Sequence, residues 1–500
     1  MGYISVLNKY KMHSREAVFE DFYTDLNLYP IIEQISKVWG ESVKKFYNYF
    51  PESKEATNYR RAVFVDFEKC NLYEEVLGAY SLMRQCNELA AKEGESEQRI
   101  RREIMHVNEI ALYCDATEKL QKALNFAELQ SEGMQRIRTE LNLLITNEEY
   151  IHMRDIAYEI REALKNTKIE LTYEKKRVFF KENAESSDDY ENALKSLYPD
   201  NTAYLQGPFS EMQELDGIER ELMVISAKKH PEVFQKASKM AEKYVKFAQD
   251  FVTQFFEDVP FFLSFIKFER FMTGKGAHFC VPTENDDDII CADELYDLAL
   301  YTANIERGGE VVSNDFRYNE SELFFVLTGP NQGGKTTFAR SLGQLIYFAK
   351  LGVKVPAKSA NVHYFDNIVT HFSVEESVET GRGKLMEELV RLSPMMKSAG
   401  ENCFVVINEL FTTAANYDAC IMGKKVLSHF IASKCHGIYV THLTELLDSQ
   451  EAAVGLCAQL DDNGKQTFKI LRKVMEYNNC AANQVEKYGL TYEKLKERLS

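Results

Sequence analysis

The sequence predicts a chain in two parts, a mostly α-helical N-terminal domain followed by an α/β domain. From about residue 26 to residue 271, apolar residues recur at spacings of three and four among helix-forming residues, as they do in amphipathic helices. Between residues 274 and 288, Gly, Pro, Thr and Asp interrupt this pattern. Short apolar runs then alternate with helical patterns, which indicates an α/β sheet. We therefore predict domains at 1–273 and 274–500.

Within the helical domain, one segment breaks the helical pattern. Long stretches such as 79–129 keep a continuous apolar stripe, and helices of this length form rods or levers. At 165–200, Ile169, Leu171 and Tyr173 alternate with polar residues, and a second apolar run follows a basic turn. Because successive side chains of a strand point to opposite faces, we predict a small strand pair inserted between long helices.

The α/β domain contains five candidate strands and two clear helical patterns. The strands are expected at 323–328, 368–372, 403–408, 437–441 and 467–471, and the helices at 336–350 and 384–398. The run at 404–407 is continuously apolar, which is typical of a parallel strand that is buried on both faces. Strands that alternate with helices in this way predict a sheet with helical connections.

The charge of the chain restricts how it could contact nucleic acid. The formal net charge is −17, which argues against broad coating of DNA, because phosphate neutralisation requires clustered Lys and Arg. Any DNA contact must therefore be local. Basic patches occur at 99–102 and 175–181, but acidic residues lie close to both. A solvated helix or hairpin face is the simpler interpretation of each patch.

The cysteine and hydropathy patterns exclude several classes of protein. The ten cysteines are scattered without a C-x-x-C pair or a regular His spacing, so neither a zinc site nor a disulfide framework is indicated. Residues 1–15 lack an apolar signal region, and no uncharged stretch approaches the ~18 residues of a membrane-spanning helix. We expect a cytoplasmic protein with reduced thiols.

A glycine-rich motif lies between the first predicted strand and the first predicted helix of the α/β domain. It consists of Gly329, Pro330, Asn331, Gln332, Gly333, Gly334, Lys335, Thr336 and Thr337. This string satisfies the Walker A pattern G-x-x-x-x-G-K-[ST], in which backbone N–H groups surround phosphate oxygens. Lys335 would contact the β and γ phosphates, and the Thr336 hydroxyl would hold Mg²⁺. The motif predicts a P-loop that binds ATP and Mg²⁺; the alternative is a glycine-rich turn with a capping Thr.

Further candidate residues follow neighbouring strands. Asn408 and Glu409 end the apolar run at 404–407, and His442 follows the run at 437–441. A P-loop enzyme needs an acidic group at a strand end to orient or activate water, so Glu409 is the candidate catalytic base. Asn408 stands where Asp is usual in the metal shell; its amide oxygen brings no charge, and we expect weakened Mg²⁺ binding or slow turnover. His442 is a candidate catalytic sensor of the γ phosphate, with a capping or packing role as the alternative.

These motifs resemble the ATPase domain of the MutS family of DNA mismatch-repair proteins. The string from Thr328 to Lys335 is similar to the family's T-G-P-N-x-G-G-K, which is narrower than a general Walker A motif. Further matches in identity and spacing are Leu351-Gly352, Val355-Pro356-Ala357, Thr380-Gly381-Arg382, Met386, Glu388, Tyr417-Asp418, Val440-Thr441-His442 and Glu445-Leu446. The resemblance is close from about residue 293 to residue 490.

The resemblance implies an α/β P-loop NTPase domain of the ABC and MutS type, preceded by a mostly α-helical core and lever domain. The segment at 165–200 would then correspond to a reduced clamp. Because the chain enters the helical pattern almost at once, we expect no N-terminal mismatch-recognition domain. The family's S-T-F, whose serine reaches the partner's ATP, is replaced by Gly383-Lys384-Leu385, and its glycine-rich turn by Phe411-Thr412-Thr413. The resemblance still implies a homodimer with composite ATP sites and altered contacts.

Two functional hypotheses from different classes remain open. The first is an ATP-dependent DNA-binding ATPase, homodimeric by resemblance, whose nucleotide sites move helical levers that grip DNA in repair or recombination. The second is a nucleotide-gated structural or interaction protein that binds ATP with little hydrolysis; Asn408 and the net charge of −17 favour it. A P-loop ATPase of the ABC or chromosome-maintenance type would carry an L-S-G-G-Q-like signature, which the sequence lacks.

Overall fold

The structure is a computed structural model that describes most of the chain in defined ranges. These are residues 4–10, 21–69, 72–96, 98–165, 169–174, 177–182, 217–284, 290–305, 309–319, 321–373, 383–448, 450–461, 463–473 and 496. Within these ranges, no helix combines the length and the apolar character that a membrane-spanning segment needs.

The observed elements agree with the predicted order of a mostly helical part followed by a part in which strands and helices alternate. The helices are α1 (Asp21–Asp25), α2 (Leu28–Ser36), α3 (Glu41–Asn48), α4 (Lys54–Lys69), α5 (Tyr73–Glu95), α6 (Arg99–Phe126), α7 (Glu132–Ile145), α8 (Glu148–Lys165), α9 (Gly217–Lys229), α10 (Pro231–Lys243), α11 (Asp250–Thr273), α12 (Leu298–Ile305), α13 (Lys335–Leu351), α14 (Lys384–Lys397) and α15 (Asn416–Ala432). The strands are β1 (Ile169–Glu174), β2 (Arg177–Glu182), β3 (Cys291–Leu295), β4 (Asn314–Arg317), β5 (Phe324–Thr328), β6 (Ser359–Asn361), β7 (Asn367–Phe372), β8 (Cys403–Asn408), β9 (His436–Val440), β10 (Ala453–Leu460) and β11 (Gln466–Arg472).

The chain divides into two compact units, which we call the helical unit and the sheet unit. The helical unit comprises Met1–Ile4 and Asp66–Glu257, and the sheet unit comprises Ser5–Val65 and Asp258–Ser500. This division differs from the sequence-based boundary after residue 273, because the helices of Ser5–Val65 belong to the same compact unit as the sheet. Helical periodicity identifies a helix but does not specify which element covers its apolar face.

The helical unit is built around α6. This helix has buried residues on all sides, among them Ile104, Val107, Ile110 and Leu120, as expected for a helix in the middle of a bundle. Helices α5, α8 and α10 pack against it. The following helix α7 begins at a defined cap, because the Ser131 hydroxyl accepts a hydrogen bond from the Met134 backbone N–H.

The predicted strand pair is present. Strands β1 and β2 are antiparallel, with Ile169 opposite Glu182 and Glu174 opposite Arg177. The remainder of the predicted reduced clamp, residues 183–200, lies outside the described residues, so the clamp itself stays a prediction.

The centre of the sheet unit is a six-stranded sheet in the order β11-β10-β5-β9-β8-β7. Strands β10, β5, β9, β8 and β7 are parallel, and β11 pairs antiparallel with β10 at one edge. Every residue of β5 and β8 is buried, as expected for parallel strands covered on both faces. The carboxyl ends of β5, β9 and β8 consequently lie along one edge of the sheet, where ligands bind in open α/β sheets.

All five predicted strands of the α/β part are observed as β5, β7, β8, β9 and β11, and the two predicted helices as α13 and α14. The sequence analysis missed β10 and the small sheet of β4, β3 and β6. The sequence of β10, AVGLCAQL, has small residues and a Gly but little β-branched character, so its strand conformation depends on pairing with β5 and β11 on its two sides.

The N-terminal helices of the sheet unit pack closely on α13. Gly343 in α13 makes this possible, because a Cβ at this position would lie 2.4 Å from Leu26 Cδ2. The Gln344 amide donates a hydrogen bond to the Leu26 carbonyl oxygen at 3.0 Å. The Tyr347 hydroxyl likewise donates to the Tyr47 carbonyl oxygen at 2.8 Å. These contacts are the physical reason that Ser5–Val65 belongs to the sheet unit.

Candidate functional site

The predicted glycine-rich motif forms the connection between β5 and α13, which we call the 329–337 loop. Two of its glycines have positive φ angles, 133° at Gly329 and 89° at Gly334, a region that favours glycine. Close packing also excludes larger residues, because a Cβ on Gly329 or on Gly333 would lie 2.9 or 3.0 Å from the Ala458 Cβ. The spacing of glycines in the motif therefore matches the conformation and the available space.

Lys335 is the first residue of α13 and is directed back over the loop. Its ammonium group donates hydrogen bonds to the carbonyl oxygens of Gly329 at 2.8 Å and Pro330 at 3.0 Å. The side chain is buried, and the N-terminus of a helix adds partial positive charge from its unsatisfied N–H groups. This end of α13 is therefore suited to hold an anion.

Thr336 and Asn408 form a polar pair between α13 and the end of β8. The Thr336 hydroxyl donates a hydrogen bond to the Asn408 Oδ1 atom at 3.0 Å. Because the hydroxyl oxygen keeps its lone pairs while it donates, both side chains present oxygen atoms, the donor type that Mg²⁺ prefers. The pair that the sequence assigned to the metal shell is thus brought together by the fold.

Glu409 and His442 lie beside this pair, at the ends of β8 and β9. Glu409 has a φ of 56°, a left-handed conformation that is uncommon outside glycine and is frequent at functional sites. Its backbone N–H donates to the Val440 carbonyl oxygen at 2.9 Å. The distance from Glu409 Oε1 to His442 Nε2 is 3.4 Å, with the side chains 30% and 51% exposed. Both groups therefore remain accessible to solvent or to a ligand.

The segment after Glu409 is held by a buried carboxylate from α14. Phe411 also has a left-handed backbone, with a φ of 63°, and its N–H donates to Glu388 Oε2 at 3.0 Å. A bulky residue in this conformation costs of order 1 kcal/mol or more, which the Glu388 contact and burial of the Phe411 ring offset. This is the position at which the sequence departs from the glycine-rich turn of the MutS family.

A pocket of about 590 Å³ opens beside the 329–337 loop. Its walls include the predicted residues Asn331, Gln332, Gly334, Lys335, Thr336, Thr337 and Glu409. Asn408 and His442 join this group through their contacts with Thr336 and Glu409. Gly329, Pro330 and Gly333 supply the turn of the loop. The structure thus brings all predicted site residues to one edge of the sheet, while their chemical roles stay predictions.

The opposite wall of the pocket was not predicted. It includes Tyr296, Asp297, Leu300, Val312 and Phe468. Burial raises the pKa of the Asp297 carboxyl, and the hydrogen bond from the Gln344 amide at 2.8 Å partly opposes this effect. These residues come from elements far apart in the chain and form no motif, so local sequence contained no signal for them.

The first predicted basic patch, at 99–102, is described by the structure at Arg99. Arg99 forms ion pairs with Glu103 at 2.7 Å and with Glu242 at 3.1 Å, so its charge is largely balanced within the helical unit. The side chains of the second patch, 175–181, are outside the described residues. At Arg99, the interpretation as a solvated helix face therefore fits the structure.

The segment Thr380-Gly381-Arg382, which resembles a family motif, also lies outside the described residues. Gly383, the next residue, precedes the first turn of α14 in an extended conformation. Met386 and Glu388 lie on α14, where Met386 is exposed and Glu388 is buried.

Comparison with known proteins points to one family. The family model described as MutS domain V matches residues 325–496. The DNA mismatch repair protein MutS of Petrotoga mobilis is 29% identical over 138 residues, which cover 27% of this chain and 17% of that protein. The MutS protein of Clostridium beijerinckii is 28% identical over 193 residues, 37% of this chain and 20% of that protein. The DNA mismatch repair protein spellchecker 1 of Drosophila melanogaster is 30% identical over 135 residues, 27% of this chain and 15% of that protein.

These matches and the sheet unit define the C-terminal region as a MutS domain V. Over this C-terminal region the chain is similar to proteins of the MutS family. The aligned regions span at most about a fifth of the length of these curated relatives.

Proposed function

We propose that this chain is an ATP-dependent DNA-binding protein of the MutS type that acts in DNA repair or recombination. The observation that carries the proposal is the convergence of the 329–337 loop, the Thr336–Asn408 pair and the Glu409–His442 pair at one edge of the sheet of a MutS domain V. The similar proteins are named DNA mismatch repair proteins, which supports the DNA-related role.

The nucleotide would bind with its phosphates on the 329–337 loop. The N-terminus of α13 and the Lys335 ammonium supply positive charge at this point. Lys335 would exchange its two carbonyl contacts for phosphate oxygens, which accept stronger, charge-assisted hydrogen bonds. Bound nucleotide would therefore stabilise the 329–337 loop. We assign a P-loop NTPase fold to the sheet unit on this basis.

The Thr336 and Asn408 oxygens would hold Mg²⁺, and a bound Mg²⁺ would neutralise charge on the phosphates. Glu409 is partly exposed at the strand end and would accept a proton from the attacking water. His442, in contact with Glu409, would orient this carboxylate and sense the γ phosphate. Because Asn408 is neutral, the metal shell has one negative charge fewer than an Asp would provide, and we expect slow hydrolysis.

A homodimer is supported by exposed apolar side chains on two helices of the sheet unit. On α14, Met386, Leu389 and Val390 are 55%, 41% and 48% exposed, and their spacing places them on one helix face. On α15, Tyr417 and Ile421 are exposed at a spacing of four. Contiguous exposed apolar faces indicate protein contacts, and a second copy of the chain is the partner that the family implies.

The experiment that tests the proposal is steady-state ATP hydrolysis by the full chain, with and without duplex, mismatched or branched DNA. We expect slow turnover that DNA stimulates. Lys335→Ala should lose nucleotide binding, whereas Glu409→Ala should keep binding and lose turnover. The controls are Lys358→Ala and Glu401→Ala, which remove exposed charges whose ion pairs lie on the surface. Absence of ATP binding by the unmodified chain would reject the proposal.

The second candidate is a nucleotide-gated structural or interaction protein. The neutral Asn408 in the metal shell and the net charge of −17 favour it. Tight ATP binding without turnover under any DNA condition, and without salt-dependent DNA binding, would select this candidate.

A further inference from the structure

Three ionisable side chains converge within the helical unit, far in sequence from the 329–337 loop. Glu93 lies in the last turn of α5, and His106 and Glu109 lie one helical turn apart on α6. One potential ligand atom from each residue lies within 4.8 Å of the other two. None of these residues belongs to a sequence motif that we identified.

The hydrogen bonds of His106 determine which ring nitrogen faces the two carboxylates. His106 Nε2 is 3.0 Å from the Tyr244 carbonyl oxygen, which can only accept, so Nε2 carries a hydrogen. His106 Nδ1 then faces Glu93 Oε2 at 3.3 Å and Glu109 Oε2 at 3.7 Å. In a neutral imidazole this nitrogen presents a lone pair. A lone pair and two carboxylates repel one another unless a proton or a cation lies between them.

The Glu109 carboxyl is the most buried member of the cluster. Its side chain is only 4% exposed, and its Oε1 atom has no hydrogen-bond partner, which is costly for a buried carboxylate. Within the described part of the chain, no Lys or Arg pairs with either carboxylate, and His106 is their ion-pair partner.

The position of Glu93 adds to this charge imbalance. The last turn of a helix carries partial negative charge from its carbonyl groups, and it destabilises an anion while it attracts a cation. Glu93 lies in the last turn of α5, and its side chain is 26% exposed. The cluster is therefore open to solvent on the Glu93 side and closed on the Glu109 side, so that an ion could enter.

We propose that Glu93, His106 and Glu109 bind one divalent transition-metal ion, with Zn²⁺ and Mn²⁺ suited to the mixed nitrogen and oxygen ligands. Ligands about 2.0–2.2 Å from a tetrahedral ion lie roughly 3.4 Å from one another, close to the 3.3 and 3.7 Å separations around His106 Nδ1. Two carboxylates balance the charge of the ion. The Tyr244 carbonyl orients the imidazole, as groups behind metal-binding histidines commonly do.

The ion would join α5 and α6 near the turn after α10 and would stabilise the helical unit. A ligand that binds only the folded chain raises its stability. Three protein ligands leave at least one coordination position for water.

The test uses the full chain, freed of metal with a chelator and kept without nucleotide. Zn²⁺ is titrated by calorimetry and Mn²⁺ by electron paramagnetic resonance, because Mn²⁺ binds thiols weakly. We expect one ion per chain and binding at least tenfold weaker in Glu109→Gln, which keeps the shape of the side chain. Glu140→Gln on α7 makes the same charge change elsewhere in the helical unit and should leave binding unchanged.

One comparison separates this site from another that could take the same ions, and one measurement tests the fold of the variant. His442→Gln removes the Glu409–His442 pair and should retain the Glu109-dependent ion. Far-ultraviolet circular dichroism of Glu109→Gln establishes that the variant is folded. Equal stoichiometry and affinity in the unmodified chain and a folded Glu109→Gln variant would overturn the proposal and would identify the cluster as carboxyl groups that share a proton.

Discussion

Asn408 lies in the proposed nucleotide site at a position where the charge of one side chain affects Mg²⁺ binding. Its amide oxygen accepts the Thr336 hydroxyl at 3.0 Å, so the geometry of the pair is in place, but an amide carries no charge. The side chain is buried at the end of β8, where electrostatic effects are stronger than in water. The charge at this position should therefore control how tightly Mg²⁺ is held.

The first prediction is that Asn408→Asp strengthens Mg²⁺ binding. Aspartate keeps the acceptor for Thr336 and adds a negative charge beside the metal, so the Mg²⁺ concentration for half-maximal ATP hydrolysis should fall roughly tenfold. The measurement is a Mg²⁺ titration of the ATPase rate. Asn408→Ala, which removes the oxygen, should move the same concentration upward. An unchanged Mg²⁺ requirement in both variants would exclude Asn408 from the metal shell.

Asp25 is a second residue whose charge is set by its surroundings. Burial raises the pKa of its carboxyl to about 6, although the Thr370 hydroxyl donates to it at 2.7 Å and Arg391 lies nearby. Asp25 is the last residue of α1, and its two partners belong to β7 and α14. It therefore connects the N-terminal helices of the sheet unit to the sheet.

The second prediction concerns the pH dependence of the sheet unit. In the unfolded chain an Asp titrates near about 3.9, so between pH 4 and 6 the folded chain retains a proton that the unfolded chain loses. The stabilisation by Asp25 relative to Asp25→Asn is complete below about pH 4 and is lost as the pH rises through 6, by about 3 kcal/mol. Urea unfolding followed by the fluorescence of Trp39, the single tryptophan, measures this difference.

A second variant tests the cause of this pH dependence. Thr370→Val removes the hydrogen bond that favours the charged carboxylate, so the pH window should move upward. A difference between the unmodified chain and Asp25→Asn that stays constant from pH 4 to 7 would contradict the assignment.

At the scale of structural elements, strand β9 contains a position that has no space for a side chain. It lies between β5 and β8, and Gly437 leaves no space for a side chain. A Cβ there would be 2.3 Å from the Val405 carbonyl oxygen and 2.9 Å from the Phe324 ring. The backbone of a neighbouring strand cannot move without breaking the hydrogen bonds between the strands. Strand β9 therefore requires glycine at this position.

The third prediction is that Gly437→Ala destabilises the sheet unit. Overpacking against backbone should lower the free energy of unfolding by about 2 kcal/mol or more, measured as a lower urea midpoint in Trp39 fluorescence. Gly400→Ala is the matched control, because nothing lies within 4 Å of a Cβ at that position. Similar midpoints for both variants would show that β9 adapts to the added methyl group.

At the scale of the whole molecule, the exposed apolar faces of α14 and α15 bear on assembly. Both helices belong to the sheet unit; α14 precedes β8 in the chain and α15 follows it, and the end of β8 carries Asn408 and Glu409 of the proposed nucleotide site. A dimer formed through these faces would couple occupation of one nucleotide site to the partner chain, as we propose for the MutS-type function.

The fourth prediction is that Leu389→Glu weakens dimerisation. Association would bury the new carboxylate in an apolar interface and remove the water around it, which is costly. We therefore expect at least a tenfold rise in the dimer dissociation constant. Size-exclusion chromatography with light scattering, with and without ATP, gives the molecular mass. Thr139→Glu, an exposed position on α7, is the control for an added charge. Dimers of equal stability in both variants would place the interface elsewhere.

Much of the site could be predicted from local sequence. Its residues either belong to a glycine-rich motif or come directly after an apolar run, and both features are visible among neighbouring residues. The 329–337 loop, Glu409 and His442 each end an apolar run, and parallel strands bring such ends to one edge of the sheet. The same reasoning found β5, β7, β8, β9 and β11. It missed β10 and the wall formed by Tyr296, Asp297 and Phe468, since these depend on partners far away in the chain.

Local patterns in the amino-acid sequence were thus sufficient for the division into a helical and an α/β part, five of the six strands of the central sheet, the 329–337 loop and the family resemblance. The assignment of Ser5–Val65 to the sheet unit and the convergence of Glu93, His106 and Glu109 emerged only from tertiary packing. Periodicity reports which face of an element is apolar, but the partner of that face, and the charges buried against it, depend on contacts between residues that are distant in sequence.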